Sequence, residues 1–166
     1  STNSFTGDSY YAYRFVIPNV SIGFDWCYNQ MTPAQRTQVA KWLMDRADAV
    51  WPDTNPARVG GWGVDNPANN YFWGFITTWP AALAVYGDDA RAASHINLGL
   101  SKYRNLVRPF TDGWGKGGLF AESTAYDSTF YFARVLDAHL TATGEDLINE
   151  AGFTFLHDSL YWRIYS

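Results

Sequence analysis

Two short polar groups stand where a reaction could be built. Asn69 and Asn70 follow a stretch punctuated by Pro56, Gly60, Gly61, Gly63 and Pro67. Glu122 and Tyr126 follow a second glycine-rich stretch, TDGWGKGGLF at 111–120. Amides and a phenol suit one reaction in particular, elimination across a 4-linked uronic acid. The C5 proton of such a sugar is poorly acidic while its neighbouring carboxylate is negative. Donors aimed at that carboxylate spread the charge of the enolate-like transition state. A tyrosine near C5 can take the proton, and its neutral form can protonate the departing O4. A phenol starts from a pKa of about 10, so it needs nearby donors or positive charge to act as a base near neutrality.

These groups must be held by helices. Tyr13, Val16, Ile17, Val20, Phe24 and Cys27 recur at intervals of three and four, which predicts a helix over 9–29, bent near Pro18. Thr32-Pro33-Ala34-Gln35 reads as a capping box with proline in the first helical position. The helix it opens carries a stripe of Val39, Trp42, Leu43, Ala47 and Val50, and Pro52 marks its end. A third helix is predicted from Asn69-Asn70 to about Tyr86, kinked at Pro80 and stopped by Gly87. A fourth begins at Asp88-Asp89, carries Ala90, Ala93, Ile96 or Asn97, Leu100, Tyr103 and Val107 on one side, and ends at Pro109. A fifth runs from about Ser123 to Thr143, closed by Gly144, and a sixth covers roughly 151–164. No two-residue alternation persists anywhere. The expectation is a single all-α domain over 1–166, three antiparallel helical hairpins in series, with the long loops 53–68 and 110–121 as the places for a site. Two helices separate those loops, so both are expected to open at one end of the array. Trp62, Tyr71, Trp114 and Lys116 are the candidate substrate-binding residues there.

Composition narrows the partners. The chain is 47% apolar, which fits a packed domain, and no apolar run is long enough to span a membrane. Its net charge of −4 argues against nucleic acid, because no basic excess exists to neutralise phosphates. A local cluster at Lys102, Arg104 and Arg108 reads as a solvated last helical turn. Aromatic residues make up 18%, more than core packing usually needs, and they accompany abundant amides and hydroxyls. Such mixed linings suit a sugar-binding cleft, although any single ring can equally be packed between helices. Cys27 is the only cysteine and reads as a buried, inert thiol. His95, His139 and His157 have no partner at metal-ligand spacing, and no phosphate-binding or hydrolase signature occurs. Neither a metal nor a cofactor is expected. Ser1-Thr2-Asn3-Ser4 reads as a mature or trimmed end, and a secreted or periplasmic location is expected.

Three segments carry a resemblance. SIGFDWCYNQMTPAQRTQVAKWL, at 21–43, is similar to a helix pair of heparinase II/III-like and alginate-lyase-like proteins. NNYFWGFITTWPAALAVYGDDARA, at 69–92, resembles their asparagine-initiated helix and glycine-aspartate turn. DGWGKGGLFAESTAYDSTFY, at 112–131, resembles their glycine-rich segment leading to a catalytic tyrosine. The resemblance covers most of the chain and keeps the order of the pieces. It implies an α/α toroid and cleavage of a uronate polysaccharide such as alginate, heparan sulfate or hyaluronan. It also implies roles: Asn69 or Asn70 neutralising the substrate carboxylate, Tyr126 as acid and base, and Glu122 orienting the site. The sequence departs from the family pattern at Asn70, where many relatives have histidine, and at Ser123, where glycine is usual. The family toroid is also longer than this chain, so the resemblance implies a partial toroid.

Other readings of the same residues stay open. Asn69 and Asn70 are good helix caps, Tyr126 is followed by Phe130 and Ala133 at core spacing, and Glu122 suits a helix N-terminus. The domain could be a non-catalytic carbohydrate-binding or assembly module. It could also be a glycoside hydrolase using Glu122 and Asp127, though five residues apart on a helix they would point in different directions. Three hairpins cannot close a ring, so the apolar 145–166 segment (Phe153, Phe155, Leu156, Leu160, Tyr161, Trp162, Ile164, Tyr165) is expected to need cover. That cover would come from self-association or from a missing toroid half.

Overall fold

The computed structural model describes the backbone of residues 13–50, 67, 72, 76–113, 115–117 and 125–165. It describes the side chains of these residues except 13, 14, 50, 125–131, 162, 163 and 165. The described residues are all-helical, with no strand among them. The elements are α1 (Tyr13–Cys27), a short 3-10 turn (Tyr28–Gln30), α2 (Pro33–Val50), α3 (Thr78–Ala84), α4 (Ala92–Lys102), a π-helical segment (Tyr103–Val107), α5 (Arg108–Asp112), α6 (Ala125–Thr143) and α7 (Phe155–Tyr165). α4, the π segment and α5 are continuous, which leaves six helical rods among the described residues.

Local chemistry explains most of the boundaries. Thr32 and Gln35 form the reciprocal capping box at the start of α2: the Thr32 N–H donates to Gln35 Oε1 at 2.8 Å and the Gln35 N–H to Thr32 Oγ1 at 3.3 Å. Gly87 and Gly144 have φ of +98° and +79°, left-handed values that end the rods before them. The two prolines behave differently from the expectation. Pro80 does not kink a helix interior: residues 76 and 77 form a turn, and α3 begins at Thr78. Pro80 is the third residue of α3, inside the first turn, where a missing N–H leaves no hydrogen bond unmade. Pro109 does not end the fourth rod. The helix first widens into a π turn, in which the Arg108 N–H reaches back to the Tyr103 carbonyl, and then continues through Pro109 to Asp112.

The buried stripes are shifted from the predicted ones. On α2 the buried positions are Ala40, Leu43, Met44 and Ala47, while Trp42 lies partly in solvent. On the fourth rod they are Ala92, His95, Gly99, Tyr103 and Val107 rather than Ala90, Ala93 and Leu100. Cys27 is exposed, not buried, because it lies off the α1 face formed by Ile17, Ser21 and Phe24. Small residues at the closest approach decide the fourth-rod register. A Cβ on Gly99 would lie 2.5 Å from Cγ of Trp79, so only glycine lets the buried Trp79 ring rest on α4.

Contacts along the rods fix their directions. Tyr28, just past α1, donates to Asp88 Oδ1, just past α3, at 3.2 Å, so α1 and α3 finish at one end. Gly87 turns the chain, and α4 returns along α3 with Gly99 beneath Trp79. Trp79 also meets the His139 ring at 5.0 Å, while Tyr103, one turn beyond Gly99, meets Phe132 at 6.2 Å. Moving forward along α4 is therefore moving backward along α6. It follows that α1, α3 and α6 run in the same direction and α4 runs against them. α3 is the central rod, packed on α1, α2, α4 and α6.

The core is aromatic. Trp79, Tyr103, Phe132, Phe153 and Phe155 form a connected series with successive ring centroids between 6.0 and 6.5 Å. Phe153 and Phe155 thus belong to the domain's own core. The far face of α7 does not, because Leu160 and Ile164 are 60% and 72% exposed.

Candidate functional site

Most residues singled out from the sequence lie outside the described set. Trp62, Asn69, Asn70, Tyr71, Trp114 and Glu122 do so entirely. Tyr126 is the second residue of α6, and its side chain is outside the description. Lys116 is described: it is exposed, in the turn that follows α5. The Gly115 N–H donates to the Phe110 carbonyl at 2.8 Å and folds that turn back over the end of α5. α5 runs against α6, so Lys116 sits at the end of the array where α6 begins.

The basic cluster has a structural role that the sequence did not suggest. Because the rod continues past Pro109, Arg104 and Arg108 are not in a last turn. Arg104 pairs with Glu145 at 2.9 Å and Arg108 with Glu150 at 2.7 Å. The Arg108 guanidinium also lies 5.3 Å from the Phe153 ring centroid. Tyr103 donates to the Leu147 carbonyl at 3.1 Å and to Glu150 at 2.8 Å. These bonds hold the 144–153 connection along the fourth rod. Burial pushes the Tyr103 phenol well above its ordinary value, so it stays neutral and serves as a donor.

The histidines are not isolated either. Buried His95 contacts Asp48 at 2.8 Å and buried His139 contacts Glu145 at 2.9 Å, in both cases through Nε2. The Asp48 partner is remote in sequence and was not foreseeable from spacing. Among the described residues no three histidine, cysteine or carboxylate groups gather as a metal site would require. Beside His95, Arg91 joins Asp45, Asp48 and Asp89 at 3.0, 2.5 and 2.6 Å. The Lys41 ammonium, followed by Arg91, holds the Asp45 carboxyl below its usual range, and Arg91 does the same for Asp89. His139, with Arg104 behind it, lowers Glu145. These are clamps between elements, closed by their own partners.

The open concavity lies elsewhere, on the face shared by the three parallel rods. A groove of about 570 Å³ runs between α1, α3 and α6. Ile22, Leu83, Ala84, Ala138 and Ala142 give it an apolar bed, and Asp25, Arg134, Asp137 and Thr141 add polar groups. Trp26 stands on its wall with 82% of its surface in solvent. Sequence periodicity did carry a signal for this residue. Trp26 falls off the Ile17–Ser21–Phe24 stripe that α1 buries, so a large ring was left on an unburied face. A second cavity, between Trp79, His95 and Gly99, measures about 10 Å³, the size of one water, and is too small for a substrate.

Comparison of the chain with family models, with curated proteins and with solved structures gives no match.

Proposed function

We propose that this chain is the helical domain of a polysaccharide lyase that cleaves a uronate-containing polymer, of the alginate or glycosaminoglycan type, by β-elimination, and that its rods form part of an α/α toroid. In this reading Asn69 and Asn70 neutralise the uronate carboxylate, Tyr126 takes the C5 proton and returns one to the leaving O4, and Glu122 orients the tyrosine segment. Trp62, Tyr71, Trp114 and Lys116 bind the chain on either side. No cofactor is called for, since the charge of the intermediate is carried by hydrogen-bond donors. A secreted or periplasmic location suits a polymeric substrate.

The observation that best supports the reading is the parallel course of α3 and α6. Asn70 lies eight residues before the start of α3 in the chain, and Glu122 three residues before the start of α6. Helices that run the same way start at the same end, which is what a site shared by these two segments needs. Alternating rod directions, seen in α3, α4 and α6, are also what a toroid requires.

The test is incubation with alginate, hyaluronan and heparan sulfate while near-ultraviolet absorbance is followed. Elimination leaves a 4,5-double bond conjugated with the carboxylate, and the absorbance rises. Tyr126→Phe is expected to lower the rate by about a hundredfold or more, the usual worth of a positioned acid–base group. New reducing ends without absorbance would point to a hydrolase and sink the reading. The second reading, a non-catalytic carbohydrate-binding module, is favoured by the exposed Trp26 beside its groove. It predicts polymer retardation in affinity gels with no bond cleaved.

A further inference from the structure

The groove between α1, α3 and α6 is a feature the lyase reading does not use. Of the proposed catalytic residues, Tyr126 has a described backbone, and it is the second residue of α6, at the N-terminal end of that rod. Trp26 is the penultimate residue of α1, and Leu83, Ala84, Thr141 and Ala142 are near the C-terminal ends of theirs. From Tyr126 to Thr141 along α6 is about 22 Å at the rise of an α-helix. The end of the groove that carries Trp26 therefore lies toward the opposite end of the array.

We propose that this groove is a second saccharide site, one that takes uncharged sugar residues, with Trp26 as its stacking platform. The argument rests on three observations. An indole with 82% of its surface in water is costly to leave uncovered, and its flat face matches the apolar face of a pyranose. Asp25 on α1 and Asp137 on α6 flank the groove, and among the described residues neither carboxylate takes part in an ion pair or a side-chain hydrogen bond. Unpartnered carboxylates are strong acceptors for pairs of sugar hydroxyls. The bed between them is made of small and aliphatic side chains, Ala84, Ala138, Ala142 and Leu83, which leave room for a ring and contact its C–H face. Among the described residues the two carboxylates outweigh the one cation on the wall, Arg134, and leave the groove net negative. A uronate laid between Asp25 and Asp137 would add negative charge to a groove already net negative, and like charges at close range oppose binding. The ligand class is thus a neutral oligosaccharide, either on its own or as the uncharged units of a mixed polymer. This inference stands whether or not the chain is a lyase.

Titration calorimetry tests it with neutral hexasaccharides of glucose, mannose and N-acetylglucosamine against a mannuronate hexasaccharide. At least one neutral probe is expected to bind, and the mannuronate probe more weakly. Trp26→Ala should weaken the neutral probe about tenfold, the scale of one aromatic contact, and Trp26→Tyr should restore most of it. Because Trp26 is exposed, both variants should fold as the parent does, which circular dichroism checks. Trp42→Ala, which removes an exposed ring on α2, should change nothing. The double variant Asp25→Asn, Asp137→Asn should lose neutral-sugar affinity while narrowing the gap to mannuronate. The proposal is overturned if no neutral probe binds, if mannuronate binds more tightly, or if Trp26→Ala leaves binding intact. It is also overturned if the sugar-free protein self-associates and Trp26→Ala abolishes that, which would make the groove a contact between copies of the chain.

Discussion

The two faces of α3 are finished in different ways. Toward α4 and the 144–153 connection, every large ring is covered and the seam is locked by charge: Trp79 on Gly99, Tyr103 on Glu150, Arg104 on Glu145, Arg108 on Glu150. Toward α1 and α6, the same helix shows small and aliphatic side chains to an open groove, with a bare indole and two unpaired carboxylates around it. The first face has its large rings buried and its charged groups paired, which is how a chain holds itself together. The second leaves an indole in solvent and, among the described residues, two carboxylates without an ion pair, which is how a surface receives something else. Stability and recognition are thereby assigned to opposite sides of one short helix, and mutations on the two sides should have opposite profiles.

The largest effect should come from the closed side. Trp79→Ala removes a fully buried ring at one end of the aromatic series and should destabilise the domain by about 3–5 kcal/mol. Gly99→Ala should cost about 1–3 kcal/mol, because the added Cβ would lie 2.5 Å from the fully buried Trp79 ring and force it to shift. Urea unfolding followed by tryptophan fluorescence measures both. If Gly99→Ala leaves the midpoint unchanged, α3 and α4 are not as tightly seated as the geometry indicates.

Next comes Tyr103→Phe, which keeps the ring and deletes the hydroxyl that holds Leu147 and Glu150. A loss of about 1–2 kcal/mol is expected from a bond to a charged acceptor and a carbonyl left without its donor. Hydrogen exchange should speed up in the 144–153 connection more than in α3.

Acid should weaken the closed side selectively. Asp45, Asp89 and Glu145 have folded-state pKa values below their ordinary ones, because of Lys41, Arg91 and His139 respectively. A depressed carboxylate adds stability that is fully present above its unfolded value, about 4. That stability is lost as the pH falls through the lower, folded value. The melting temperature should therefore hold from neutrality to about pH 5 and decline below about pH 4. Arg91→Gln should lower it at neutral pH by an amount equivalent to about 1 kcal/mol, since these pairs are partly exposed and screened. The acid limb should then be shallower than in the parent. An acid limb of unchanged slope would mean that Arg91 is not what depresses Asp89.

The smallest effect on stability should belong to the open side. Trp26→Ala is expected to change unfolding free energy by no more than about 0.5 kcal/mol. A large loss would show that the indole is a structural part after all, and the contrast between the two faces would disappear.

Local information in the chain was enough for the signals that act over a few residues. Thr32 and Gln35 close a capping box within one turn, and Gly87 and Gly144 are where the backbone must take a positive φ. The helical class and the number of rods follow from the same short-range patterns. What depends on a distant partner was not legible. The π turn that carries the fourth rod through Pro109 follows no sequence motif. The role of Arg104 and Arg108 depends on Glu145 and Glu150, which come together with them only when the connection lies down along the rod. The buried register of α4 was misjudged because periodicity counts apolar residues, whereas the closest approach there is set by a missing side chain at Gly99 meeting Trp79. For the candidate site, the sequence supplied residue types and order, Asn69, Asn70, Glu122 and Tyr126, and the chemistry those types can perform. The tertiary structure decided that α3 and α6 run in parallel, because helix direction is a property of how rods pack. It also decided that Trp26 stands over an open groove, because exposure depends on which neighbours the fold brings near and which it leaves away.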